Sequence, residues 1–480
     1  MSISLLSIGL PALFSIISVP LVINHYGKEL FGMYSLTSDI VSYFTLFSFG
    51  IPTAVAAIFA NTHDNHLRKK ILNYGFQGIG VVFLCAMSIF CLLLAYPNLI
   101  ISIIGGFSDN VRYSVEMFFL ILFVSLAIRL PFSIFNQLLI YTGFVHWSKI
   151  IDILISASNF MCILYCINNN LAFYDIALYY GILSIVLSFG YLCAFFYKVK
   201  PIPLEICNDS SQEHITRKNI YLNGYYYFIT GIAGLLISSS DGLVISHFLN
   251  ASMIPYFALP YKLIWVFIAI LGQGLTLFIA KILILHQKNN HISLQSLISK
   301  LVFFSLLLCC LGAVGSIFFS IEVVKAWSNG HVVIDNLTVI FLALYLLSAG
   351  VSEVPYYILL SLNKVKQFYL LALLEGVSNL ILSIYFIRIL GVAGVVCATA
   401  LSHIVFTSVY YNYILYRDYK NIYTSRIVNH LVKTIFIVLV IMMIATTLVL
   451  YFKITVVFKV ILLVLLTCIG VAYAKSQRYL

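Results

Sequence analysis

Stretches of about twenty apolar residues recur down the whole chain, and no other feature constrains its folding as tightly. At ~1.5 Å of rise per residue, about 20 helical residues cross the ~30 Å hydrocarbon core of a bilayer. In hydrocarbon each backbone N–H and C=O needs an internal partner, so segments of this kind cross as helices. They fall at residues 4–24, 34–60, 74–96, 114–140, 148–167, 173–197, 222–248, 257–280, 299–321, 335–361, 367–387, 393–416, 432–452 and 454–474. The sequence thus predicts an all-α polytopic membrane protein with about 14 transmembrane helices. Only 9% of its 480 residues are charged, where a soluble domain carries about 25%. No loop is long enough to fold alone.

The net charge of +11 sits in short loops, where topology explains it better than nucleic acid does. With the N-terminus inside, nineteen Lys and Arg fall in inner loops and five in outer loops (Lys28, Arg112, Lys325, Arg388 and Lys453). That asymmetry predicts both termini in the cytoplasm. No Lys or Arg precedes Lys28, so the first segment reads as an uncleaved helix rather than a secretory signal. The ten cysteines lie mostly within spans and form no CxxC pair, which argues for buried thiols, with no metal site, disulfide frame or cofactor. No GxxxxGK[ST] motif occurs, so the chain carries no phosphate-cradling loop of its own.

An internal repeat divides the chain. A shift of 222 positions lays Val22–Tyr26 (VINHY) on Val244–Phe248 (VISHF), Gly9 on Gly231, Tyr34 on Tyr256 and Gly50 on Gly272. Six spans separate the copies, so both begin on the cytoplasmic side and are parallel, an arrangement used by alternating-access transporters. The expected domains are 1–197, a six-helix bundle; 198–221, a polar cytoplasmic linker; 222–420, a second six-helix bundle; and 421–480, two additional helices.

Residues 20–50 read PLVINHYGKELFGMYSLTSDIVSYFTLFSFG. With Gly27, Phe31-Gly32, Tyr34 and Gly50, this segment resembles the opening helices of Wzx-type polysaccharide flippases of the multidrug/oligosaccharidyl-lipid/polysaccharide exporter superfamily. Asp241, Leu243-Val244-Ile245, Phe248 and Tyr256, and the run Gly391-Val392-Ala393-Gly394-Val395, are similar too. The resemblance covers the first twelve spans, about 1–420. One departure is Asn24-His25-Tyr26, where family members often carry a fixed cation before the first glycine. The resemblance implies a MATE-like fold in which two bundles flank a central cavity. It implies flipping of an undecaprenyl-pyrophosphate-linked oligosaccharide, an O-antigen or capsule repeat unit, from the cytoplasmic to the periplasmic leaflet of a bacterial inner membrane. Expected partners are that lipid-linked glycan, membrane lipid, and a polymerase and chain-length regulator of the polysaccharide pathway.

A diphosphate headgroup calls for cations inside the spans. Arg129, in LAIRLPF near the middle of the fourth span, is the first candidate for substrate binding, and Pro131 beside it could kink the helix. Its bland alternative is a helix-locking contact. Lys262, in the eighth span, either attracts substrate toward the exit or snorkels to the surface. Candidates for gating or ion coupling are Asp39, Asp241, Glu353, Glu375, His25 and His247, each also open to a structural role; Asp241 could pair with Lys262. His403 carries the same ambiguity, and Asp152 reads as interfacial. The 33 Tyr and 37 Phe suit sugar stacking but fit an interfacial belt and lipid contact better. The competing function is a cation-coupled drug or metabolite antiporter of the same superfamily, which would favour carboxylates over cations in its cavity. An enzyme is disfavoured: there is no DxD for nucleotide-sugar chemistry and no large outer loop.

Overall fold

A computed structural model describes residues 2–46, 48–60, 62, 65–96, 107–198, 225, 228–229, 231–237, 239–276, 278–362, 369–451, 458–465 and 467. Among them every regular element is helical. The order is α1 (Ser2–Leu46), α2 (Ile51–Ala60), α3 (Asn65–Ala95), α4 (Asp109–Arg129), α5 (Ser133–Tyr141), α6 (Val145–Asn168) and α7 (Phe173–Lys198). It continues with α8 (Gly231–Ile237), α9 (Asp241–Phe248), α10 (Ile254–Thr276), α11 (Ile279–Gln287), α12 (His291–Trp327) and α13 (Asn336–Ser361). The last are α14 (Tyr369–Leu390), α15 (Val392–Ser402), α16 (Tyr410–Asp418) and α17 (Ser425–Tyr451). Two compact units result: Met1–Leu235 with Leu249–Ser252, and Leu236–Phe248 with Met253–Leu480.

Eleven helices among the described residues are long and apolar enough to cross a membrane, or twelve if α8 and α9, bent by 48°, are one span. The chain is a multi-pass membrane protein. Two of the expected fourteen spans are not among them. The one at 34–60 is interrupted by a turn in which Phe49 (φ 49) and Gly50 (φ 66) are left-handed. The one at 454–474 is described only over 458–465 and 467. The expected linker 198–221 lies almost wholly outside the described residues.

Gly27, at φ 87 and ψ 170, breaks α1. Ser18 and Tyr34 line one cavity although sixteen residues apart. An uninterrupted helix would hold them about 24 Å apart, so the chain turns back at Gly27. A glycine is needed there because a Cβ disfavours positive φ.

In the first unit, Val55, Ile71, Ile134, Leu138 and Leu139 are fully buried in one core drawn from α2, α3 and α5 to α7. In the second, α12 and α13 pack closely because their contact residues are small. A Cβ on Gly350 would stand 2.7 Å from Cys309 Cβ, and one on Gly312 would stand 2.8 Å from Leu346. Ser305 Oγ donates to the Gly350 carbonyl at 2.6 Å. Asn290 caps α12 by accepting from Ser293 N–H at 3.1 Å. The C-terminal residues dock on this long helix: Lys459, buried, donates to the Phe318 carbonyl at 2.7 Å and pairs with Glu322 at 2.5 Å.

Candidate functional site

Arg129 ends α4. Pro131 follows, and the helix tightens into one 3₁₀ turn over Leu130–Phe132 before resuming as α5. The expected local disturbance at Pro131 therefore takes the form of a tighter turn within a continuous span, Asp109–Tyr141. Arg129 Nε donates to Ser188 Oγ on α7 at 3.0 Å, and Ser188 in turn donates to the Ser184 carbonyl at 2.7 Å. Arg129 Nη1 is buried with no hydrogen-bond partner among the described residues. One turn beyond Ser188, Tyr191 donates to Asp152 on α6 at 2.6 Å, and Lys149 pairs with the same carboxylate at 3.3 Å. Asp152, which the sequence suggested was interfacial, thus joins the polar seam of α6 and α7.

Helical register explains the seam. On α7, Ser184, Ser188 and Tyr191 are spaced by four and three and share the buried face, while Ile182, Val186 and Phe189 occupy the exposed one. On α6, Leu154, Met161 and Tyr165 are exposed, and Asp152, Ser156 and Asn159 fall on the opposite side. Asn159 Nδ2 donates to Tyr34 Oη at 3.4 Å. The seam was legible as hydroxyl spacing in the sequence, although its partners were not.

The second unit gathers carboxylates. Asp241 is buried and opens α9, where the positive end of the helix favours an anion. Thr399 Oγ1 donates to it at 2.9 Å and Asn379 Nδ2 at 3.5 Å, and Ser383 Oγ reaches Asn379 Oδ1 at 3.4 Å. Its partners thus come from α14 and α15, and the expected Asp241–Lys262 pair gives way to these hydroxyl and amide contacts. Lys262 is half-buried on α10, two residues after Pro260. Glu375, buried on α14, accepts from Thr407. Thr407 lies in a π-helical turn, His403–Val409, that interrupts the long helix Val392–Asp418. In the same turn His403 Nδ1 meets Ser348 Oγ at 2.8 Å, and Ser408 Oγ donates to the Ser348 carbonyl at 2.9 Å. Glu353 is half-buried on α13, two residues before Pro355. Among the described residues no three His, Cys, Asp or Glu side chains converge as metal ligands.

Asp39 is half-buried on α1. His25 and His247 are both exposed at the ends of their helices. Each meets the next aromatic ring edge-on, His25 with Tyr26 at 4.6 Å and His247 with Phe248 at 5.3 Å.

Residues 6–164 match the MatE family. No curated protein matches the sequence. Among solved structures, a lipid II flippase, MurJ, in an inward closed conformation aligns over 98% of this chain and 98% of its own, with a TM-score of 0.73 at 16% identity. An inward-facing multidrug resistance MATE family transporter of the MOP superfamily aligns over 86% of this chain and 96% of its own, with a TM-score of 0.69 at 12% identity. The fold is the one that MurJ and the MATE transporter share. Those two structures are a flippase and a multidrug resistance transporter.

Proposed function

We propose that this protein flips an undecaprenyl-pyrophosphate-linked oligosaccharide, an O-antigen or capsule repeat unit, from the cytoplasmic to the periplasmic leaflet of a bacterial inner membrane by alternating access. Arg129 carries the reading. A guanidinium deep within a span costs ~2.5–3.5 kcal/mol on insertion scales, yet Nη1 has no partner among the described residues. A diphosphate supplies the acceptors that this donor lacks, and arginine matches phosphate oxygens in pairs. Lys262 is the second cation assigned to the headgroup. The full-length likeness to MurJ supports a lipid-linked substrate.

The coupling ion is assigned to Asp241. Its carboxylate accepts from the Thr399 hydroxyl and the Asn379 amide N–H, and Ser383 donates to that amide's oxygen, a neutral polar set around one negative charge. That set suits a monovalent cation or a proton better than a tightly held divalent ion. Asp39, Glu353, Glu375, His25 and His247 are assigned to gating or coupling in the same cycle. A polymerase and chain-length regulator would receive the product. The second reading, a cation-coupled drug or metabolite antiporter, draws on the carboxylates Glu353 and Glu375, which suit cationic substrates.

The test is deletion of the gene in its own host. The flippase reading expects loss of surface polysaccharide, with the lipid-linked unit stalled on the cytoplasmic face and rescued by wild-type but not Arg129→Ala protein. Normal polysaccharide together with new drug sensitivity would put the antiporter first.

A further inference from the structure

Outside the Arg129 seam, the first unit holds a cavity of about 150 Å³ between α1 and α6. Its polar lining is Ser15, Ser18, Tyr34, Ser156 and Asn159. The apolar wall is Phe14 stacked on Phe160, with centroids 5.0 Å apart and planes 10° from parallel. Most of these side chains are half-buried, so the cavity is open to a ligand. It lies on the α6 face opposite Leu154, Met161 and Tyr165, and so is turned away from that helix's apolar exposed face.

The lining restricts the occupant. No basic side chain lines it, so it does not suit phosphate. No carboxylate lines it, so it does not suit a cation. Four hydroxyls and one amide make an acyl chain a poor occupant, because their hydrogen bonds would go unmade. A cavity near 150 Å³ accommodates one six-membered ring. Hydroxyl and amide groups around the rim, with aromatic carbon on one wall, suit a ring with hydroxyl edges and a C–H face. Asn159 spends one N–H on Tyr34 at 3.4 Å, leaving its amide oxygen and second N–H for a ligand.

We propose that this cavity is a binding subsite for one neutral pyranose ring of the transported headgroup. The proposal rests on the flippase reading above. Asn159 is two turns along α6 from Asp152, which Tyr191 links to the Arg129 seam. That separation, about 10 Å along the helix, fits a headgroup whose diphosphate meets Arg129 while a sugar ring reaches the cavity. Ser18 and Tyr34 come together only because the chain reverses at Gly27, so the subsite depends on that break.

The experiment uses purified full-length protein in lipid nanodiscs and native mass spectrometry. The probes are undecaprenyl pyrophosphate, bare or carrying a single glucose, galactose, N-acetylglucosamine or N-acetylgalactosamine. For wild type, at least one sugar is expected to raise affinity about tenfold over the bare lipid, the scale of a net hydrogen bond. Asn159→Leu should abolish that ratio while leaving bare-lipid binding unchanged, whereas Arg129→Ala should weaken both lipids together. Ser156→Val, which removes a lining hydroxyl and narrows the cavity, should abolish it as well. If no sugar raises affinity, or if both cavity variants keep the ratio, the subsite is overturned and the flippase reading stands. If wild type binds neither bare nor glycosylated lipid, the flippase reading fails first.

Discussion

Replacing Arg129 with Met separates a substrate contact from a structural one. A guanidinium offers five N–H donors. The described residues take Nε, through Ser188, and leave Nη1 buried and unpaired. A bond from a charged donor contributes about 1.5–3 kcal/mol, and an unsatisfied buried donor costs about 1–3 kcal/mol. The two nearly cancel, so Arg129→Met should move stability by no more than about 1 kcal/mol in either direction, as buried charges replaced by apolar side chains often do. Transport should respond quite differently. Losing two charge-assisted bonds to a diphosphate removes about 3–6 kcal/mol, on the order of 10²- to 10⁴-fold in headgroup affinity. The assay pairs thermal unfolding of the purified protein with leaflet accessibility of lipid-linked glycan in inverted vesicles. Arg129→Lys should retain part of the activity because it keeps the charge but not the paired geometry. Wild-type transport by Arg129→Met, or a stability loss above about 3 kcal/mol that tracks the transport loss, would refute the reasoning.

Three further outcomes are expected. Asp241→Asn should abolish dependence of transport on a sodium or proton gradient while Thr399→Ser keeps it, measured as flux against imposed gradients; gradient-dependent flux in Asp241→Asn would remove Asp241 from coupling. Gly394→Ala should lower the unfolding temperature, because its Cβ would stand 2.2 Å from the Phe386 carbonyl oxygen and 2.5 Å from the carbonyl carbon, both backbone atoms; overpacking of this kind costs about 1–3 kcal/mol or more. Lys459→Met should be tolerated better than Glu322→Gln, since removing the buried ammonium deletes the charge, whereas Glu322→Gln leaves Lys459 buried with a weaker acceptor; comparing the two unfolding temperatures checks the order.

The sequence disclosed the spans because a helix's need for about twenty apolar residues is local. Gly391 and Gly394, noted for resemblance, turn out to set a positive-φ turn and a close helix approach. Partners were harder to read, because they are distant in the chain. Thr399 stands 158 residues from Asp241, and Ser188 stands 59 from Arg129. An ion-pair rule pointed Asp241 toward Lys262, whereas packing brought it a hydroxyl and an amide, which apolar periodicity does not distinguish from helix filler. Lys459 was visible as an odd cation in a span, and its docking on α12 was not. The break at Phe49 and Gly50 escaped for a related reason: the residues around it stay apolar while the backbone turns.

The π-helical turn at His403–Val409 has a genetic consequence. A π turn is, in effect, one extra residue accommodated in an otherwise α-helical run. Deleting a single residue from this turn would let α15 and α16 merge into one regular helix. Because the turn already absorbs that residue, side chains after it would keep their faces. Asn412, which donates to the carbonyls of Val351 and Ser408 and accepts from Tyr423, would keep that address. Contacts made from within the turn, such as Thr407 to Glu375, are the ones that would change. Homologues one residue shorter at this point would therefore be expected to carry a compensating change around Glu375 rather than at the positions facing α13.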